Sequence, residues 1–387
     1  MTSRALWVIG ALAGLCCIST ALSAQAPRAA AAGQDPLIVG ARIDTTIRYN
    51  DIPGVTVLGD TFMPAWADDG NLYLTSCDTS GWDVKSLLPG HNFELGVFKG
   101  DPTNTTSVHV HVVNPMKAFG TAMQRGTDNR TWKAAGLASV DGVLYLTINR
   151  HRREGDPSPG WADNASILKS SDHGRNWTNH LGQLNRPPSL DVSGSMFPGT
   201  AFPFLEFVVY GQDGRAPAVD RAREFVYAYS TDSITNAAHL LRVRRTDLPS
   251  LRADKWEYYK SGDGNDDANW SSSAADAVPI LAKGAGISGE IVYDQPLQRY
   301  VMAQWGRGLR LFEAPHPWGG WTLIKNWPEI DARFSSIPNK FISADGKTLW
   351  LFYSSDYHKM YKYTLWMAQI TLVVKEATPK SLGGRTP

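Results

Sequence analysis

Asp60 stands just ahead of the apolar stretch TFMPAWA, and Asp78 closes the stretch LYLTSCD. Two carboxylates delivered from the ends of short apolar segments can divide acid–base work, one giving up a proton while the other activates water or attacks. Arg150 and His151 close a second stretch of the same kind, LYLTINRH. Together they offer a fixed cation and an imidazole that exchanges its proton near neutral pH. Trp305 and Arg307 lie in QWGRG, and Asp356 lies in SSDYHK beside His358. Asp60, Asp78 and His151 are the candidate catalytic residues; Arg150, Trp305, Arg307 and Asp356 are candidate substrate contacts.

Other chemistries lack their signatures. No P-loop, dinucleotide fingerprint, zinc-protease motif or serine-hydrolase elbow occurs in the chain, so no cofactor is expected. His109 and His111 in HVHV alternate as strand residues would, yet no third ligand is near in sequence, and no metal site is assigned. Lys and Arg total 38 against 37 Asp and Glu, which argues against nucleic acid or an anionic membrane as the main partner. Fourteen Trp and fourteen Tyr supply flat surfaces of the kind on which sugar rings stack. A monomer is expected.

The elements that must position these residues are strands. Short runs rich in Val, Tyr, Phe and Trp, broken by Gly, Asp, Asn and Pro, recur throughout, and helical periodicity is scarce. Residues 64–78, 134–150 and 339–356 each read as apolar strand, Asp-Gly turn, then an L-Y-L or L-W-L strand. Asp-Gly suits a hairpin because both turn residues tolerate positive φ. Two weaker copies begin at FLEFVVYGQDG and GEIVYDQPLQRY, and a third strand follows every hairpin. A fourth follows four of the five, while residues 37–47 form an orphan strand at the other end of the chain. This arithmetic predicts an all-β, five-bladed β-propeller whose N-terminal strand closes the last blade. The starts of the first strands and the ends of the second would then meet around one mouth, where the candidate residues fall.

Residues 1–26 read as a signal peptide, with Arg4 followed by ALWVIGALAGLCCISTALSA, so a secreted or periplasmic protein is expected. Residues 37–374 form the propeller domain, and 375–387 a polar tail expected to be disordered. Cys16 and Cys17 leave with the signal, and Cys77 remains without a disulfide partner.

Ser170, Asp172, Gly174 and Trp177 form the S-x-D-x-G-x-x-W Asp-box of sialidase-like propellers. It falls between a third and a fourth strand, where it marks a turn rather than a reaction centre. EFVYAYSTD, HLLRVRRTDLPSLRADKWEYYKSG, ISGEIVYDQPLQRYVMAQW and LRLFEAPHPWGGWT follow the box in that order. In this they resemble secreted five-bladed propellers of the endo-D-arabinanase-like glycoside hydrolase group. The resemblance implies a sugar-chain substrate and hydrolysis by paired carboxylates. Where that group commonly carries a Glu before the Tyr of IVYD, this chain has Ser288, with Glu290 two places on. A looser similarity to propeller polysaccharide lyases implies elimination instead, with His151, Tyr229 and Arg242 or Arg244 as the working residues. A glycan-binding propeller without catalysis is the third reading.

Overall fold

The computed structural model describes residues 36–82, 90–121, 124–126, 129–152, 159–188, 194–281, 289–306, 308–355, 359 and 361–376. Among them the regular structure is β, with only short 3-10 turns between strands. Strands are grouped in antiparallel runs that meander outward. The first run comprises Pro64–Trp66, Leu72–Thr79, His91–Asp101 and Asn104–Asn114; the second, Arg130–Val140, Val143–Arg152, Ala162–Ser170 and Thr178–Asn179. The third comprises Phe204–Val209, Phe225–Thr231, Ala238–Arg244 and Trp256–Tyr259, with the short strands Trp270–Ser271 beside Trp256–Tyr259 and Pro279–Leu281 beside Ala238–Arg244, and the fourth Ile291–Asp294, Arg299–Gly306, Gly308–Ala314 and Thr322–Trp327. Arg333–Ser336, Thr348–Ser354 and Trp366–Val374 make the fifth, completed by Ile38–Arg48.

The N-terminal strand therefore lies where its pattern placed it. Its residues pair antiparallel with Trp366–Val374, from Ile38 opposite Val374 to Arg48 opposite Trp366. The fifth hairpin is shifted from expectation. Asn339–Phe341 is a 3-10 turn rather than a strand, and the first strand of that run is Arg333–Ser336. Pro338, which begins the turn, has no N–H to give to a ladder.

Each run touches the next, and the fifth touches the first. The Cys77 thiol points at the Ala134 carbonyl, 3.7 Å away, and the Thr147 hydroxyl donates to the Leu205 carbonyl at 2.6 Å. Val208 and Val209 pair in parallel with Ile291 and Val292, and Gly289 bridges Ser335 in parallel. The Ser336 hydroxyl donates to the Phe62 carbonyl at 2.6 Å. Apolar side chains fill each joint: Leu95 and Trp132 between runs one and two, Phe207 and Ala138 between two and three. Tyr227 and Tyr300 pack between three and four, Val301 and Leu351 between four and five, Phe62 and Phe352 between five and one.

The Asp-box is a turn held by its own side chains. The Ser170 hydroxyl donates to Asp172 Oδ1 at 2.8 Å, and Asn176 donates to Asp172 through both its backbone N–H, at 2.9 Å, and its amide, at 2.7 Å. Trp177 is buried beside it in the core shared by runs one and two. Asp172→Ala should cost about 1–3 kcal/mol of stability and leave the turnover of folded protein unchanged. A folded variant without activity would place the box in the reaction centre.

At the joint of runs three and four, the buried Asp220 carboxylate accepts from the Tyr300 hydroxyl at 2.9 Å and lies 2.8 Å from Nδ1 of the half-buried His316. The hydrogen bond to Asp220 raises the His316 pKa above the ordinary 6.5, against the opposing pull of burial. Stabilisation from this pair is complete below the pKa of the free imidazole and fades as pH rises through the higher folded value. From about pH 5 to about pH 8, the melting temperature of the wild type should fall more than that of His316→Gln. Equal slopes for the two proteins would refute the assignment.

Candidate active site

Antiparallel pairing sets the start of each run's first strand beside the end of its second. Asp60 bridges Cys77, Thr131 pairs with His151, Phe204 with Thr231, and Arg333 with Ser354. Parallel contacts between first strands of the last three runs put these ends on one side of the molecule.

Asp60 sits there among donors. The Thr61 hydroxyl reaches its Oδ1 at 2.8 Å, and the Tyr363 hydroxyl, from the loop before the last strand, reaches its Oδ2 at 3.2 Å. Asp78 is ion-paired with Lys133 of the second run, whose side chain is 10% exposed. Burial, followed by the nearby Asp78 charge, pushes the Asp60 carboxyl up to about 7; Lys133 and the two hydroxyl donors oppose this only in part. Burial works against the Lys133 ammonium, but Asp78, Cys77 and Asp60 together hold its pKa above the ordinary value. Tyr363 is pushed well above the usual phenol range by burial and by the Asp60 charge, and so keeps the proton it donates. One cluster thus contains a carboxyl that is half protonated near neutrality and a second carboxylate facing a cation.

His151 completes the group. Register pairs Thr131 with His151 and Lys133 with Asn149, so by the two-residue alternation of a strand His151 and Lys133 share one face, and Arg150 lies on the other. Burial, then Lys133, drives the His151 pKa down to about 4, which leaves the imidazole neutral at physiological pH. Its Nδ1 lies 2.8 Å from the Arg152 carbonyl oxygen, and its ring lies 5.8 Å from that of Trp161.

Left-handed backbone occurs at this end as it does at turns elsewhere in the molecule. Thr61, Asp78 and Phe334 have φ of 54°, 43° and 50°. A β-branched or bulky residue in the left-handed region costs energy that the surrounding structure must offset, and such residues cluster at functional sites.

The structure therefore brings Asp60, Asp78 and His151 together. Trp305 is near the same end, its ring 5.4 Å from that of Phe334. Arg150 is turned into the wall, its guanidinium 4.6 Å from the Trp132 ring centre and donating to the Arg130 carbonyl at 2.7 Å. Tyr229 and Arg242 are not brought to the site. The Tyr229 hydroxyl donates to the Pro317 carbonyl within the joint of runs three and four. Arg242, 1% exposed, is held at 2.6 Å by Glu257 and by Asp267 and lies over Phe225 and Trp270. Both sit mid-sheet because their strands continue past them, and Arg244 also stacks on Phe225. Arg307, Asp356 and His358 lie outside the described residues. His109 and His111 pack ring to ring at 4.6 Å on an outermost strand. Among the described residues, Asp68, Asp69 and His173 are the group with ligand atoms close enough to share an ion, and they tie the first hairpin turn to the Asp-box turn.

Sequence reading missed Lys133, Tyr363, Glu206 and the placement of Glu290. Glu206 is the third residue of the third run's first strand and is 3% exposed; its Oε2 accepts from the Gly289 N–H at 3.2 Å, and its Oε1 has no partner among the described residues. Glu290, 4% exposed, accepts from the Ile337 N–H at 3.0 Å. Burial holds both well above the usual carboxylate range, and the Glu290 charge adds to the effect on Glu206. Gly289 has no substitute there, since a Cβ would stand 2.1 Å from the Ala303 carbonyl oxygen. A charged residue inside FLEFVV was a readable signal; nothing in the sequence around Tyr363 pointed to Asp60.

Sequence comparison finds no match among the curated proteins. In structure, the chain is similar to a candidate hydrolase from Bacteroides ovatus ATCC 8483, with TM-score 0.50 and 11% identity over 81% of this chain and 85% of that one. It is also similar, at TM-score 0.46 in each case, to two further solved structures. One is Zg3597, a family 117 glycoside hydrolase of the marine bacterium Zobellia galactanivorans, at 10% identity over 87% of this chain and 92% of that one. The other is the RS223 β-xylosidase, at 12% identity over 87% of this chain and 97% of that one. At such identities the likeness is one of fold. The model of the family described as "Domain of unknown function (DUF4185)" matches residues 44–367, and the chain belongs to that family.

Proposed function

We propose that the five runs are the blades of one five-bladed propeller, and that the ends gathered at Asp60 form the active site of a secreted, endo-acting glycoside hydrolase. The observation that carries this reading is the pair of aspartates with divided environments: Asp60 pushed up to about 7 by burial and by Asp78, and Asp78 facing Lys133. Two carboxyl groups in such different surroundings take different parts in acid–base chemistry. Asp60, protonated in part of the population near neutrality, gives its proton to the leaving glycosidic oxygen. Asp78, with its charge opposed by Lys133, activates water or attacks the sugar carbon. Tyr363 and Thr61 hold Asp60 in place. His151, neutral and uncharged, binds substrate, and Trp305 stacks on a sugar ring. Secretion is read from the signal-peptide pattern of residues 1–26.

A neutral imidazole beside a lysine also favours a second reading, elimination on a uronate chain, in which His151 takes the C5 proton and Lys133 faces the carboxylate. Incubation with neutral and uronate-rich polysaccharides separates the two. New reducing ends without ultraviolet absorbance from an unsaturated uronate mean hydrolysis; the two signals together mean a lyase. Binding without new ends would make the protein a glycan-binding propeller and overturn the enzymatic reading.

A further inference from the structure

Each joint between runs is crossed by a side chain that reaches the backbone at or beside the next run's first strand. In three joints that side chain is a donor that keeps its proton at ordinary pH. The Thr147 and Ser336 hydroxyls donate at 2.6 Å to the carbonyls of Leu205 and Phe62. The Cys77 thiol faces the Ala134 carbonyl at 3.7 Å, and burial pushes its pKa up. In the other two joints the side chain is a carboxyl. Glu206 Oε2 accepts from the Gly289 N–H at 3.2 Å across the joint of runs three and four, and Glu290 Oε2 accepts from the Ile337 N–H at 3.0 Å across the joint of runs four and five.

These carboxyls stand in succession with nothing to offset a charge. Glu206 is 3% exposed and Glu290 4%. Among the described residues no cation acts on either, and the charge that acts on Glu206 is that of Glu290. Opposite Glu206 in the strand pairing is Tyr229, a phenol that burial keeps protonated and that donates to the Pro317 carbonyl. Glu290 lies against Ser335 and Ile337, which do not titrate. The backbone leaves no slack through which water could follow a charge: a Cβ on Gly289 would stand 2.1 Å from the Ala303 carbonyl oxygen and 2.6 Å from that of Ser335. A neutral acid still offers its carbonyl oxygen to the N–H, whereas a buried carboxylate without cation or water is costly.

We propose that Glu206 and Glu290 form a pH-sensitive latch between runs three, four and five, closed while both are neutral acids and loosened when they give their protons to solvent. Burial holds both well above the ordinary 4.5. The stability they contribute is therefore complete below that value and is lost as pH rises from it through the higher folded values. The other three joints, held by groups that do not titrate in this range, keep their strength. Runs one and two, which carry Asp60, Asp78 and His151, stay joined while runs three to five part. The latch does not depend on which reaction the site performs.

The test compares full-length wild type, Glu206→Gln and Glu290→Gln by scanning calorimetry from about pH 4.5 to about pH 8.5. Glutamine keeps the carbonyl acceptor of the neutral acid and cannot ionise. The difference in melting temperature between each variant and wild type should move in the variant's favour as pH rises, by at least about 3 °C over the range. Asp60, Glu94 and Asp294, which burial also pushes up to about 7, are common to all three proteins and drop out of the difference. A difference that does not change with pH, or that moves in favour of wild type, overturns the latch. Hydrogen exchange on the wild type needs no variant to fold. Over the same range, peptides holding Gly289 and Ile337 should lose about tenfold more protection, corrected for intrinsic rate, than peptides holding Phe62 and Ala134. Equal loss at all four places overturns the proposal as well.

Discussion

Asp60→Asn should lower turnover on the active polysaccharide by about a hundredfold or more, the range lost when a positioned general acid is removed. The change keeps size and most hydrogen bonds but removes the proton held by a carboxyl pushed up to about 7 by burial and by Asp78. The acid form is the working form, so wild-type activity should decline as pH rises through about 7, and that limb should be missing from the residual activity of the variant. Asp78→Asn should bring a loss of similar size, because Lys133 would then lose its ion-pair partner and the water or sugar carbon its base. His151→Ala should instead raise KM more than it lowers kcat. In the elimination reading the order reverses: His151→Ala collapses turnover and Asp78→Asn is mild. Wild-type kinetics in all three variants would remove the active site from this end of the molecule.

Deletion of residues 37–47 should be the most damaging change to the fold. The strand Ile38–Arg48 pairs along its length with Trp366–Val374, and Ile38 is 1% exposed in the core between runs four and five. Removing it uncovers a long ladder edge and an apolar joint together. A net contribution of about 1 kcal/mol per backbone hydrogen bond makes the loss comparable with the ~5–15 kcal/mol that holds a typical domain folded. Exposed edges also template association. The truncated chain should aggregate, or melt far below the full chain by scanning calorimetry. A soluble product with an unchanged melting temperature would show that the fifth run does not depend on this strand.

The gathering of Asp60, Asp78 and His151 at one end was readable because strand ends announce themselves. Asp60, Asp78 and His151 each adjoin an apolar run bounded by turn residues, and antiparallel pairing places such positions at one end of a hairpin without further information. Arg150 was misplaced by the same logic carried one residue too far: neighbours on a strand face opposite ways, and register alone says that His151 shares its face with Lys133. Tyr229 and Arg242 look equally polar in sequence, but one serves a joint and the other a pair of carboxylates. The shifted fifth hairpin shows another limit. Its Asp-Gly signal was real, and Gly346 does take a φ of 71°, yet Pro338 kept the segment ahead of it out of the ladder.

By itself the sequence determined the all-β character, the repeated hairpins, the strand that returns from the N-terminus to the last run, and the turn role of the Asp-box. All of these follow from local alternation, turn residues and the count of strands. Only the tertiary structure decided that Lys133 pairs with Asp78, that Tyr363 holds Asp60 across nearly the whole length of the chain, and that Glu206 and Glu290 are buried carboxyls anchored by backbone amides. Those contacts join different runs, and their strength comes from burial and from charges brought close by packing, neither of which local sequence contains.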